Sequence, residues 1–421
     1  MKFIIMHPLN HLIVKKNLFS TITQEYGTPL YIYSDELIRD NLDRLKFALK
    51  KNFQKYHICF AVKANSNPHI ITLIKNHVPS LGADCSSPGE IHAAKLAGIQ
   101  PNECIYTGNY ESYEDLEFAF KAGVHINLDD ISSFHRLRSI GIPKEISFRL
   151  NPGFGKGAFS QIVTGGENSK FGVPHYDIVK AYRLAKDSGI KKFGIQCMTG
   201  SGILDQDYYP HLMKQILKSV KLLANELDIH MEYISLGGGY GIPYKDDEIG
   251  LNFNQVFEDV GQIFNAYFEE CNEKKPSLWI EPGKSIIGNA GIFLTRVTGI
   301  KKSYKTFIGV DAGMEALMRP ALYGAYHRIY KVGNPTAPTV QTVDITGRIC
   351  ENTDRLAVNR EFPEVQEGDL LAVMDAGAYC FSMSHQFCTR PRAAEVLLSG
   401  KDTRLIRNRE NIEDIFRNCH V

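Results

Sequence analysis

Eight short apolar runs, each followed by a stretch with helical spacing, constrain this chain more than any other feature. The runs are residues 56–62, 80–84, 104–107, 124–128, 145–150, 193–198, 232–236 and 278–281, most of them rich in Ile, Val, Leu, Phe and Tyr. Amphipathic helical patterns lie between them, among them residues 68–75, 88–96, 113–122, 176–188, 208–227 and 254–271. Strands alternating with helices of this length predict a parallel sheet covered by helices. Eight such units in roughly 230 residues match the count and length of a (β/α)8 TIM-like barrel. A doubly wound open sheet is the alternative that the pattern alone allows.

After Pro282 the texture changes. Residues 292–298, 306–310, 339–345 and 369–374 are β-rich with turn residues between them, and helical periodicity is sparse. The expected architecture is α/β: a barrel over residues 36–285 and a C-terminal mostly-β domain, barrel or sandwich, over 286–421. Residues 1–35 form an N-terminal segment whose strand-like Leu30-Tyr31-Ile32-Tyr33 either leads into the barrel or joins the β domain.

Bulk composition removes several functional classes. In 421 residues, charged side chains make up 23% and the formal net charge is +1, so no basic excess points to nucleic acid. No apolar run approaches the ~20 residues of a membrane span. The opening Met1-Lys2-Phe3-Ile4-Ile5-Met6-His7-Pro8 is too short and too soon broken by proline to read as a secretory signal. The nine cysteines are scattered with no CxxC pair, so neither a metal site nor a disulfide framework is indicated. Free thiols in a reducing cytoplasm fit best.

A barrel places its chemistry at the C-terminal ends of its strands. The residues there are Lys63, Asp84, Gly108-Asn109, Asp129, Arg149 with Asn151, Met198 through Gly202, Gly237-Gly238-Gly239 and Glu281. Lys63 ends the run His57–Val62, so a buried strand delivers an amine to the mouth. A desolvated lysine suits Schiff-base chemistry with a carbonyl cofactor or substrate; otherwise it is a solvated strand end. Consecutive glycines let backbone N–H groups wrap an anion such as phosphate, and Gly200-Ser201-Gly202 adds donors. A carboxylate such as Glu281 can hold a protonated ring nitrogen, the partner pyridoxal phosphate needs. Alternatively, it is a cap or an ion pair. In the β domain, Cys350 beside Glu351 offers a thiol of pKa about 8.5 as a general acid. Arg319 and Tyr323 offer a guanidinium and a phenol for a substrate carboxylate. The structural alternatives are a buried small residue and a surface ion pair.

These stretches together resemble the fold-type III pyridoxal-phosphate decarboxylases, and within them the diaminopimelate decarboxylases. The resemblance is carried by Phe60–Asn65, Gly82–Asp84 through Gly89-Glu90, Arg149–Gly153, Ser169–Gly172, Leu236–Gly239 and Glu281–Gly283. It continues in Val310–Met314, Arg319–Tyr323, Cys350-Glu351 with Asp354, Asp375–Tyr379 and Arg390–Val396. It implies pyridoxal 5'-phosphate as cofactor, with Lys63 as the lysine that binds it. Glu281 then faces the ring nitrogen, Gly237, Gly238, Gly239 and Ser201 cradle the phosphate, Tyr379 closes on it, and Asp84 and Met198 border the cofactor. Cys350 is implied as the acid that reprotonates the substrate carbon, and Lys284, Arg319, Tyr323 and Glu351 as the substrate set. A homodimer with shared sites is implied too, the partner chain supplying Cys350 and Glu351.

The implied activity is decarboxylation of an amino acid, meso-diaminopimelate to L-lysine. The chain departs from the family pattern at the site. Gln196 and Met198 stand where the family has two histidines, so a thioether replaces the imidazole that stacks on the cofactor ring. Lys284 stands for the usual Arg, losing bidentate geometry. Arg348 adds a cation near the thiol and, pointing inward, would lower its pKa. The loop Gly108–Ser112 lacks the family's lysine. These changes motivate a second expectation, a related decarboxylase acting on D-ornithine, D-lysine or a siderophore or antibiotic intermediate. A third is a non-catalytic homologue that binds the cofactor.

Overall fold

The computed structural model describes residues 7–420. The chain divides into two compact units. One holds residues up to Asp40, Pro243–Ile249 and Ile286 onward; the other holds Asn41–Ile242 and Gly250–Ser285. In chain order, β1 (Leu30–Ser34) belongs to the first unit and the next nine strands to the second.

The second unit is the expected barrel. Its strands are β2 (Tyr56–Ala61), β3 (Gly82–Cys85), β4 (Cys104–Tyr106), β5 (His125–Leu128) and β6 (Glu145–Asn151). A two-residue β7 (Val173–Pro174) pairs with the end of β6, and β8 (Lys192–Gln196), β9 (Met231–Ser235) and β10 (Ser277–Ile280) follow. Each runs parallel to its neighbours; β5 pairs with β6, and β10 returns to β2. The sheet is therefore closed, and the open-sheet alternative is excluded. These strands are buried on both faces, which is why they read as near-continuous apolar runs.

The helices start where the strands end. Asn67 accepts from His69 N at 3.0 Å, Ser87 from Glu90 N at 3.3 Å, Ser112 from Asp115 N at 3.1 Å and Asp130 from Ser133 N at 3.0 Å. Each cap stabilises its helix by about 1 kcal/mol and turns the chain sharply at the barrel mouth. Inside the barrel, Tyr233 stacks on Trp279 with ring centroids 4.1 Å apart, against Cys59 and Ile105. The Tyr233 hydroxyl donates to Ser147 Oγ at 2.8 Å, Ser147 to Asn127 Oδ1 at 2.7 Å, and Asn127 Nδ2 to Thr107 Oγ1 at 3.0 Å. This buried polar chain is satisfied internally, as burial requires.

The first unit is a nine-stranded mixed sheet. To β1 it adds β11 (Gly291–Lys302), β12 (Thr306–Val310), β13 (Ile329–Lys331), β14 (Gln341–Thr346) and β15 (Arg355–Phe362). It is completed by β16 (Leu370–Val373), β17 (Ala394–Ser399) and β18 (Asp402–Arg407). The order is β15-β14-β12-β11-β1-β17-β18, with β16 pairing β11 and β13. All five residues of β1 are buried between antiparallel β11 and parallel β17. Residues 243–249 join this unit through Arg328, which donates to Asp246 Oδ1 at 2.8 Å and to Pro243 O at 3.1 Å. No helix among the described residues is long and apolar enough to cross a membrane.

Candidate active site

Lys63 does not sit on the strand. β2 ends at Ala61, whose N–H donates to Pro282 O at 3.1 Å, and Lys63 lies on one 3-10 turn, Val62–Ala64. The expected burial is only partial: the side chain is 37% exposed, and its ammonium forms an ion pair with Asp84, itself 4% exposed. Nζ also donates to Ser86 Oγ at 3.4 Å. The Ser86 N–H is held by Glu90 Oε2 at 2.7 Å. Burial raises the Glu90 pKa, opposed by the charge of Lys63 and by that hydrogen bond.

Glu281 follows β10 and is 4% exposed. Ser235 Oγ donates to its Oε1 at 2.6 Å and Gln196 Nε2 to its Oε2 at 2.8 Å. Burial, reinforced by the charge of Asp84, pushes the carboxyl up to about 7, against the two hydrogen bonds and Lys63. A carboxyl poised there suits a partner nitrogen that is itself a weak base. Ser235 did not stand out in the sequence, because a small neutral residue inside a strand carries no pattern, and Gln196 stood out only as a departure from the family's histidine.

The glycine loop is a turn that only glycine can make. Gly237 has φ +65° and Gly239 φ +90°. A side-chain carbon would lie 2.5 Å from Cys197 O at Gly237 and 2.6 Å from Gly200 O at Gly239, and at Gly238 it would collide with Glu281 O. The half-buried Met198 is placed here too, and its Sδ accepts from Gly238 N at 3.2 Å. Ser201 sits in the adjoining turn, where its carbonyl takes Ala158 N at 2.9 Å. Lys284 is 5% exposed, and a side-chain carbon at Gly202 would come 3.4 Å from its Nζ. Its ammonium therefore lies beside the Gly200–Gly202 turn. Arg149, buried and lowered in pKa by that burial, holds this region together. It donates to Met198 O at 2.8 Å and to Asp129 Oδ1 at 3.4 Å, over the Phe171 ring.

The β unit carries the other five candidates. Cys350 and Glu351 are exposed on the loop between β14 and β15. The nearby Asp354, 1% exposed, accepts from Met314 N at 2.7 Å and Ile349 N at 3.0 Å. Arg348 is exposed, so the inward-pointing arrangement is not found. Arg319 is 2% exposed, which excludes a surface ion pair. Its guanidinium lies 4.6 Å from the Tyr244 ring centroid, and Nη1 donates to His327 Nε2 at 2.9 Å while His327 Nδ1 donates to Met374 O at 2.8 Å. Tyr323 ends the short helix Arg319–Tyr323 and is half-buried, as is Tyr379, whose φ is +57°.

A primary amine, a buried carboxyl near neutrality, a glycine turn that excludes side chains and a buried ammonium meet at one barrel mouth. These fit a phosphorylated pyridine aldehyde: an amine for the carbonyl, a carboxyl for the ring nitrogen, backbone and ammonium for the phosphate.

Comparison with known proteins agrees. Residues 39–288 match the family described as pyridoxal-dependent decarboxylase, pyridoxal binding domain. The chain is 39% identical over 402 residues to the diaminopimelate decarboxylase of Methanothermobacter thermautotrophicus, covering 95% of this chain and 93% of the relative. It superposes on diaminopimelate decarboxylase from Helicobacter pylori complexed with L-lysine with a TM-score of 0.87 at 31% identity, covering 95% and 98%. A lysine/ornithine decarboxylase from Vibrio vulnificus, 17% identical with a TM-score of 0.76, shares the fold. The chain belongs to the diaminopimelate decarboxylase family of fold-type III, pyridoxal-phosphate-dependent carboxy-lyases.

Proposed function

We propose that this protein removes one carboxylate from meso-diaminopimelate to give L-lysine and carbon dioxide, in the cytoplasm and as a homodimer. The observation that carries the reading is Lys63, Glu281 and the glycine turn at one mouth, in a chain 39% identical to a curated enzyme of that name. Bound pyridoxal phosphate supplies the electron sink for the pair left behind when carbon dioxide departs. Lys63 would hold the cofactor through its amine, and Asp84, its ion-pair partner, would keep that ammonium in position whenever it is free. Glu281 keeps the ring nitrogen protonated. Gly237, Gly238, Gly239, Ser201 and Tyr379 hold the phosphate, with Lys284 beside them. Met198, whose Sδ accepts from Gly238 N, would border the ring where an imidazole is usual.

Arg319, Tyr323 and Glu351 bind the distal amino-acid end of the substrate, and Cys350 delivers a proton to the substrate carbon. Cys350 and Glu351 come from the partner chain, so dissociation abolishes activity. The test is carbon dioxide release from meso-diaminopimelate by cofactor-loaded protein. No release from it, with release from D-ornithine or D-lysine, would favour the second reading, which Met198 and Lys284 motivate. Binding of cofactor without turnover of any amino acid would favour a non-catalytic homologue.

A further inference from the structure

Gln196 closes β8 with its side chain 1% exposed, against a Glu281 that is 4% exposed. Its Nε2 donates to Glu281 Oε2 at 2.8 Å. Its Oε1 is buried and meets no donor among the described residues. An unpaired buried acceptor costs about 1–3 kcal/mol, and a leucine here would avoid it. Ser235 is different. Its Oγ accepts from Gly237 N at 3.1 Å and donates to Glu281 Oε1, so both of its roles are filled.

A primary amide carries a donor and an acceptor on one rotor. Turned by half a rotation, Gln196 would present Oε1 where Nε2 now lies. It would then accept from a protonated Glu281, and one half of the amide would be paired in either orientation. We propose that Gln196 is a positioning residue that pairs with Glu281 in both of its protonation states, turning its amide as the carboxyl gains or loses a proton. Both states are populated near neutrality, since burial pushes Glu281 up to about 7. Asp84, Lys63 and Arg149 are the charged groups around it. The thiols Cys59 and Cys197 and the phenols Tyr233 and Tyr240 also feel its charge, but burial raises all four and keeps them neutral there.

The role rests on Glu281 facing the ring nitrogen of the cofactor. As a basic nitrogen arrives, the carboxyl O–H bond breaks and an N–H bond forms. Carboxylate and cation remain, and no proton crosses to solvent. The amide turns to donate. It adds no charge of its own, whereas an imidazole in its place would change charge or tautomer.

The test is infrared difference spectroscopy of full-length, cofactor-free protein titrated through neutral pH, with glutamine side chains isotope-labelled at the carbonyl. The expected result is a carboxylic C=O band that fades as pH rises and is missing from Glu281→Gln. A glutamine carbonyl band should shift with the same midpoint in the wild type and stay still in that variant. A glutamine band that does not move while Glu281 titrates, or a Glu281 that never titrates, overturns the proposal. Cofactor affinity gives an independent readout. Gln196→Leu should lose about ten-fold, one hydrogen bond to a charged group, and Gln196→His should recover most of it. Unchanged affinity in Gln196→Leu also overturns the proposal. Wild-type protein that shows the coupled titration but takes up no cofactor would refute the cofactor reading instead.

Discussion

Asp354→Asn tests whether one buried carboxylate holds the loop that presents Cys350 and Glu351. The two Asp354 oxygens accept separately, Oδ1 from Met314 N at 2.7 Å and Oδ2 from Ile349 N at 3.0 Å. Both donors are backbone, so the carboxylate staples the 347–354 loop to the segment after β12. Asparagine keeps one acceptor and turns an NH2 towards the other backbone N–H, donor against donor. One hydrogen bond to a charged group is lost, about 2–3 kcal/mol at a site 1% exposed. If that free energy holds the loop closed, local opening rises roughly 30- to 150-fold. Hydrogen exchange at the Ile349 and Met314 amides would read the factor directly, with the barrel amides as internal reference. Turnover should fall while cofactor affinity stays at the wild-type level. A folded Asp354→Asn protein with unchanged protection at both amides would refute the reasoning, whatever its activity.

Other substitutions probe the barrel and the guanidinium. Lys63→Ala should abolish covalent attachment of the cofactor: after borohydride reduction and gel filtration in denaturant, the near-ultraviolet absorbance of the reduced adduct should stay with the wild-type protein and be lost from the variant; a retained adduct would mean another amine holds it. Glu281 is raised from an unfolded value near 4.5 to about 7, so the stability it contributes is present below the unfolded value and lost as pH rises through 7. Compared by denaturant titration, cofactor-free Glu281→Gln should lack that fall, on the order of 3 kcal/mol; parallel curves would count against it. Gly238→Ala drives a methyl into Glu281 O, and by calorimetry cofactor affinity should drop about ten- to a hundred-fold, with wild-type affinity the contrary result. His327→Phe removes the acceptor that aims Arg319. The substrate KM should rise about ten-fold with kcat nearly kept, and an unmoved KM would separate Arg319 from substrate binding.

The barrel was legible because its strands are buried on both faces and its helices are punctuated. Pro88–Leu96, Tyr113–Ala122 and Tyr208–Leu227 begin and end where the spacing predicts, the first two behind the serine caps Ser87 and Ser112. Charged and glycine-rich strand ends gave Lys63, Glu281 and the phosphate turn, since amines, carboxylates and glycines stand out against apolar runs. Gln196 was legible only as a departure from the family's histidine, and Ser235 and His327 were not legible as parts of a site at all. Their importance is a matter of which neighbour they meet, across 85, 46 and 8 residues of chain respectively. The placement of residues 243–249 was hidden for the same reason: it depends on Arg328, some 80 positions later. The partial exposure of Lys63 was missed because the apolar run outlasts the strand by one residue, Val62.

The central place of β1 in its sheet has a consequence for synthesis. Its partners are Gly291–Lys302 and Ala394–Ser399, so Leu30–Ser34 leaves the ribosome long before anything exists for it to pair with. The barrel strands are complete once Ile280 has emerged. Until β17 follows, five residues destined for full burial wait as an open, hydrogen-bond-hungry edge, the kind of segment that recruits other chains. A nascent chain halted between these points would carry a finished barrel and a sticky N-terminal ribbon. Chaperone demand for this protein should therefore be set by the last third of its translation rather than by the barrel that dominates its mass.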